Sequence, residues 1–98
     1  MAYRLAPQAE VDLEDIAFYV FLESGNLEIA DRVIQSIAER FDLLDAYPHA
    51  GRLRDDLRPG IRGLPVGDYV VLYRVEDADV AIVRVARGSR DLEALLDE

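Results

Sequence analysis

The sequence predicts an α+β fold: a short N-terminal strand, an α-helical hairpin packed on a C-terminal antiparallel β-meander, and a short C-terminal helix. Three observations carry it. Between Ile61 and Asp91, three apolar runs are separated by Gly67-Asp68 and by Glu76-Asp77-Ala78-Asp79, the turn chemistry of consecutive β-hairpins. Upstream, apolar residues recur at three- and four-residue steps over two stretches divided only by Gly25-Asn26, so the two helices must fold back on each other. At 98 residues and 51% apolar content the chain can bury one core, and residues 1–98 read as a single domain.

Ala2 to Leu5 reads as the first strand. Pro7 suits a first helical position, where the missing N–H would be unpaired anyway, but Ala6 before it offers no capping oxygen. That start is weaker than a serine cap would make it by about 1 kcal/mol. The helix runs to about Ser24, with Ala9, Leu13, Ile16, Ala17 and Val20 on one face. Glu10, Asp12, Glu14 and Asp15 take its first turns, favourable beside the positive end of the helix dipole and expected to face solvent. Asn26 caps a second helix to about Tyr47, apolar at Ala30, Val33, Ile34, Ile37, Phe41 and Leu44, and Pro48 stops it. Each helix is expected to carry one apolar stripe, and the meander is the surface that can bury both.

His49 to Gly60 reads as a loop, punctuated by Gly51 and Pro59. The first meander strand, Ile61 to Val66, contains Pro65, which cannot donate to a ladder and places that strand at a sheet edge. The second spans Tyr69 to Val75 and the third Val80 to Arg87. Alternation puts Tyr69, Val71, Tyr73 and Val75 on one face, and groups Ala81, Val83 and Val85 on the third strand. Leu72, Arg74 and Arg84 then point the other way, which predicts one apolar and one mixed sheet face. Ser89 opens a short helix through Leu96.

The net charge is −9, from 20 acidic residues against 11 basic ones, so long-range electrostatics repel nucleic acid and direct nucleic-acid binding is not expected. All the basic residues are arginines, and six gather around the meander: Arg58, Arg62, Arg74, Arg84, Arg87 and Arg90. They are the candidate binding residues, able to hold a partner's carboxylates or, alternatively, to pair with the chain's own acids. Without cysteine there is no thiol nucleophile, disulfide or thiolate metal site, and no metal or cofactor is implied. His49, the single histidine, has no nucleophile placed beside it, and no phosphate loop, GxSxG or HExxH occurs, so no catalytic residue is assigned. Tyr3, Tyr69 and Tyr73 read as core and sheet packing rather than base-stacking platforms. No apolar run reaches the roughly 20 residues of a membrane span, and a cytoplasmic location is expected.

Several short motifs occur in order along nearly the whole chain. They are Leu5-Ala6 with Ala9, Asp12-Leu13 and Ile16; Pro48 with Gly51-Arg52; Pro59-Gly60-Ile61-Arg62; Gly67-Asp68-Tyr69 with Tyr73-Arg74-Val75; and Ile82-Val83-Arg84-Val85 with Gly88-Ser89-Arg90-Asp91. In these the chain resembles the ParE branch of the RelE/ParE toxin superfamily. The resemblance implies the toxin of a bacterial type II toxin–antitoxin pair, neutralised by a ParD-like antitoxin and directed at DNA gyrase, with no enzymatic step. Related RelE-like proteins cleave mRNA on the ribosome, and the alternative reading is such an interferase using Arg74, Arg84 and Arg87. A third reading is a non-toxic co-regulator of its operon. The absence of lysine, and of any aromatic after Tyr73, favours the ParE-like reading. An apolar groove between hairpin and sheet is expected to receive an antitoxin helix.

Overall fold

A computed structural model describes residues 3–97 of the chain. In order the elements are β1 (Tyr3–Leu5), α1 (Pro7–Ser24), α2 (Leu27–Ala46), β2 (Arg52–Leu53), β3 (Arg62–Val66), β4 (Tyr69–Glu76), β5 (Asp79–Arg87) and α3 (Leu92–Leu96). The expected fold class holds throughout, while Ala2, assigned to the first strand, lies outside the described residues.

Local chemistry sets the boundaries. Pro7 opens α1 with no side-chain cap from Ala6, and Gly25 closes it in the left-handed conformation at φ 66°, donating its N–H to the Phe21 carbonyl. Asn26 caps α2 through Oδ1, which accepts from the N–H groups of Glu28 at 2.8 Å and Ile29 at 3.3 Å. Gly67 turns β3 into β4 with φ 59°, and Asp77 turns β4 into β5 with φ 57°, a conformation aspartate tolerates better than most side chains.

The strands form one five-stranded sheet in the order β1-β5-β4-β3-β2. Antiparallel pairing joins β5 to β2 through the meander, and β1 lies parallel to β5 on the far side. Two features depart from the sequence expectation. The outermost strand beside β3 is the two-residue β2, inside the stretch read as a loop. It covers only Arg62 and Gly63, so Pro65 still sits where no ladder bond is demanded. The second departure is a register shift: Tyr73 faces Ile82 while Leu72 faces Arg84, which leaves Val83 as an extra residue on β5.

That bulge corrects the predicted alternation. Val80, Ile82 and Val85 face the hairpin, instead of Ala81, Val83 and Val85 sharing a side. There they meet Ala9, Ile16, Ile37, Phe41 and Leu44 from the helices and Val71 and Tyr73 from β4. Each of these large side chains contributes about 1.5–3 kcal/mol by leaving water. The opposite sheet face holds Leu72, Arg74 and Arg84, as the mixed reading expected, and also a second apolar cluster, in which Val70, Leu72 and Ala86 pack under Leu57 and Ile61 of the loop and Leu92 and Leu95 of α3. No helix among the described residues is long and apolar enough to cross a membrane.

Candidate partner-binding surface

The six candidate arginines divide into two groups. Arg62 donates from Nη1 to the Gly51 carbonyl at 2.8 Å, and Arg74 from Nη1 to the Pro59 carbonyl at 2.8 Å. Arg58 donates to the Leu57 carbonyl at 2.6 Å and pairs with Asp97. These three staple the long loop 48–61 to the sheet and to the C-terminal segment. Arg84 belongs with them. Its Nε and Nη2 form a two-pronged pair with the Asp12 carboxylate at 2.8 and 2.9 Å, and its Nη1 donates to the Leu95 carbonyl at 3.0 Å.

Arg84 is 7% exposed and Asp12 8%, which corrects the placement of both on solvated faces. The reason is the edge of β5. The last β1 contact is the Ala6 N–H donating to the Ile82 carbonyl at 2.9 Å. Beyond it the Val85 N–H would be buried and unpaired, and Asp12 Oδ2 accepts it at 2.9 Å. A carboxylate from α1 therefore continues where strand β1 ends, and Arg84 neutralises it.

Arg87 and Arg90 are exposed and remain on the surface. They line a cleft of about 400 Å³ between α1 and the end of β5, together with Asp15, Ile16, Tyr19 and Tyr69. The Arg87 guanidinium lies 5.1 Å from the Tyr19 ring centroid and 5.8 Å from that of Tyr69. Tyr69 thus holds an arginine in addition to packing on the core, whereas Tyr3 packs at a tilt against Phe41, with ring centroids 5.4 Å apart, in the core role expected of it. Tyr73 is fully buried, accepts the Gly51 N–H and donates to the Pro48 carbonyl, both at 2.8 Å. Burial pushes its hydroxyl pKa above the usual 10.0, partly opposed by the Gly51 hydrogen bond. His49 is exposed in the turn beside Tyr47 and Pro48. Arg54 holds Asp56 at 2.9 Å, which lowers the Asp56 pKa and raises that of Arg54.

The most exposed apolar surface is elsewhere than the hairpin–sheet groove. On the outer side of α1, Val11 is 44% exposed and Phe18 and Leu22 are each 63% exposed, and Phe21 and the α2 residue Leu27 are exposed as well. Val11, Phe18 and Leu22 follow at seven- and four-residue steps, the spacing of a seam against another helix. The single stripe expected for α1 is thus two stripes back to back. Its signal was present in the run Ile16-Ala17-Phe18-Tyr19-Val20-Phe21-Leu22, seven consecutive apolar or aromatic residues that one buried face cannot accommodate.

The class of molecule is thus a small α+β protein, a helical hairpin on an antiparallel meander, with an exposed apolar helix face and surface arginines. Residues 3–92 match the family described as the ParE toxin of the type II toxin–antitoxin system parDE. The chain is 38% identical over 82 residues to toxin ParE3 of Caulobacter vibrioides, covering 84% of this chain and 82% of that one. Its fold is similar to that solved for a chromosomal ParDE toxin–antitoxin system from P. aeruginosa, with a TM-score of 0.77 and 27% identity over 89% of this chain and 95% of that one. It is also similar to that in the toxin–antitoxin complex RelBE2 from Mycobacterium tuberculosis, with a TM-score of 0.65 and 25% identity over 88% and 95% of the two chains. The chain belongs to the ParE toxins of type II toxin–antitoxin systems.

Proposed function

We propose that this toxin acts by binding and not by chemistry: it blocks DNA gyrase through direct contact, and a ParD-like antitoxin neutralises it by covering its exposed surface. The observation that carries the proposal is the outer stripe of α1, where Val11, Phe18 and Leu22 stay in water in the isolated chain. Such a patch is costly unless a partner covers it. An amphipathic helix lying along α1 suits its spacing, and a permanent complex of this kind buries about 2,000 Å² or more. The similarity to a solved ParDE system supports a ParD-like occupant.

The reading as an mRNA interferase draws less support from the same arrangement. Of the three arginines it requires, Arg84 is buried against Asp12 and Arg74 is bonded to the Pro59 carbonyl, which leaves Arg87 as the exposed one. Purified protein added in parallel to a gyrase supercoiling reaction and to a translation extract separates the two. Arrested supercoiling with continuing translation is expected, and the reverse pattern refutes the proposal. If neither reaction responds, the toxin has lost its target and serves only with its antitoxin.

A further inference from the structure

The cleft between α1 and the end of β5 is a receptor for one carboxylate side chain of a protein partner: we infer that Arg87 supplies the contact and that Tyr19 and Tyr69 hold it in place. The guanidinium carbon lies 5.1 and 5.8 Å from the two ring centroids, cation–π contacts that restrain the side chain without using its N–H groups. No hydrogen bond or ion pair to Arg87 occurs among the described residues, although Asp15 lines the same cleft and Asp68 the adjoining one. The other carboxylate in the cleft, that of Asp12, is already engaged by Arg84 and the Val85 N–H. An arginine held by flat rings loses less side-chain freedom on binding than a free one, and its fork matches a carboxylate two-for-two.

Several features select a carboxylate over a nucleic-acid phosphate. The cleft, at about 400 Å³, has room for a single acidic side chain. Its walls include Ile16, Val85 and Ala86, which suit the methylene stem of a glutamate. The chain's net charge of −9 opposes a polyanion far more than a single negative group. The cleft opens beside the α1 stripe, since Asp15 and Tyr19 line it while Phe18 and Leu22 lie on the adjacent exposed face. A helix covering that stripe can therefore present one acidic residue to Arg87. The inference rests on the proposed partner-binding role only in naming a protein as the source of the carboxylate.

The test is an NMR titration of the intact protein, following the Arg87 side-chain Nε–H signal, which is assigned by its loss in Arg87→Lys, together with the backbone amide signals of the cleft residues Tyr19, Tyr69 and Ala86, which persist in that variant and report binding there. The probes are N-acetylglutamate α-amide, its neutral N-acetylglutamine counterpart, inorganic phosphate, and chloride at matched ionic strength. A saturable shift with the glutamate probe alone is expected, weakened about tenfold or more in Arg87→Lys, which cannot offer the same fork. Tyr19→Leu should weaken it several-fold while leaving the backbone spectrum unchanged elsewhere. Equal response to glutamine or chloride, tighter binding of phosphate, or an undiminished shift in Arg87→Lys each overturns the inference. None of these results bears on gyrase inhibition, which the supercoiling reaction reads separately.

Discussion

Arg84 and Arg87 lie three residues apart on β5, yet one is enclosed and the other stands at the surface. Alternation alone would have treated Arg84 as exposed. The extra residue Val83 changes the parity of the strand, and the end of β1 creates a need for an acceptor that only Asp12 meets. Neither the bulge nor the length of β1 leaves a mark in local sequence, so this pair was not legible beforehand. Removing one partner leaves a buried charge alone: Arg84→Ala or Asp12→Ala should cost about 3–5 kcal/mol in urea denaturation. Arg87→Ala should cost about 1 kcal/mol or less, the worth of exposed cation–π contacts.

Tyr73 gives a second residue-scale prediction. Its hydroxyl resists ionisation in the folded state because it is buried, so the folded pKa lies above the unfolded value near 10.0. The stability this contributes is complete below pH 10 and is lost as the pH rises through the folded pKa. Tyr73→Phe should therefore flatten the alkaline limb of the stability–pH curve, while lowering stability at neutral pH by about 1–3 kcal/mol because the Gly51 N–H loses its acceptor. Gly51 was legible only as a loop glycine. A Cβ there would lie 2.6 Å from the Tyr73 ring, so Gly51→Ala should cost about 1–3 kcal/mol by thermal denaturation.

Among the elements, both helices, all three meander strands and the Asn26 cap follow from spacing and turn chemistry, because each is decided by neighbours within a few residues. Asn26→Ala should lower stability by about 1 kcal/mol in the same denaturation experiment. What pattern could not supply was the two-residue β2, too short to have a period, and the cover over the second face of the sheet, which comes from the loop and α3. The bare side of α1 belongs to this scale as well. Replacing Phe18 and Leu22 together by aspartate removes nothing from the core, so the fold should persist, with a melting temperature lowered only by the helix-propensity and dipole cost of aspartate near the C-terminal end of α1. Antitoxin co-purification should be lost, and retention of the complex with both aspartates in place would move the docking surface elsewhere.

For the molecule as a whole, an acidic helical half meets a sheet half whose arginines mostly tie down its own loop. What remains outward includes an apolar helix face and the exposed Arg87 and Arg90, the features on which the proposed action by binding rests. The sequence motifs already resembled the ParE branch, but they could not separate the arginines that hold the loop from those that meet solvent, because that division depends on long-range contacts. An inhibitor that acts by occupancy must be present in proportion to its target, whereas an enzyme works in trace amounts. The decisive measurement is thus the amount of toxin that half-arrests supercoiling at several gyrase concentrations. The midpoint should rise in proportion to gyrase; a midpoint that stays fixed at toxin levels far below gyrase would contradict action by binding.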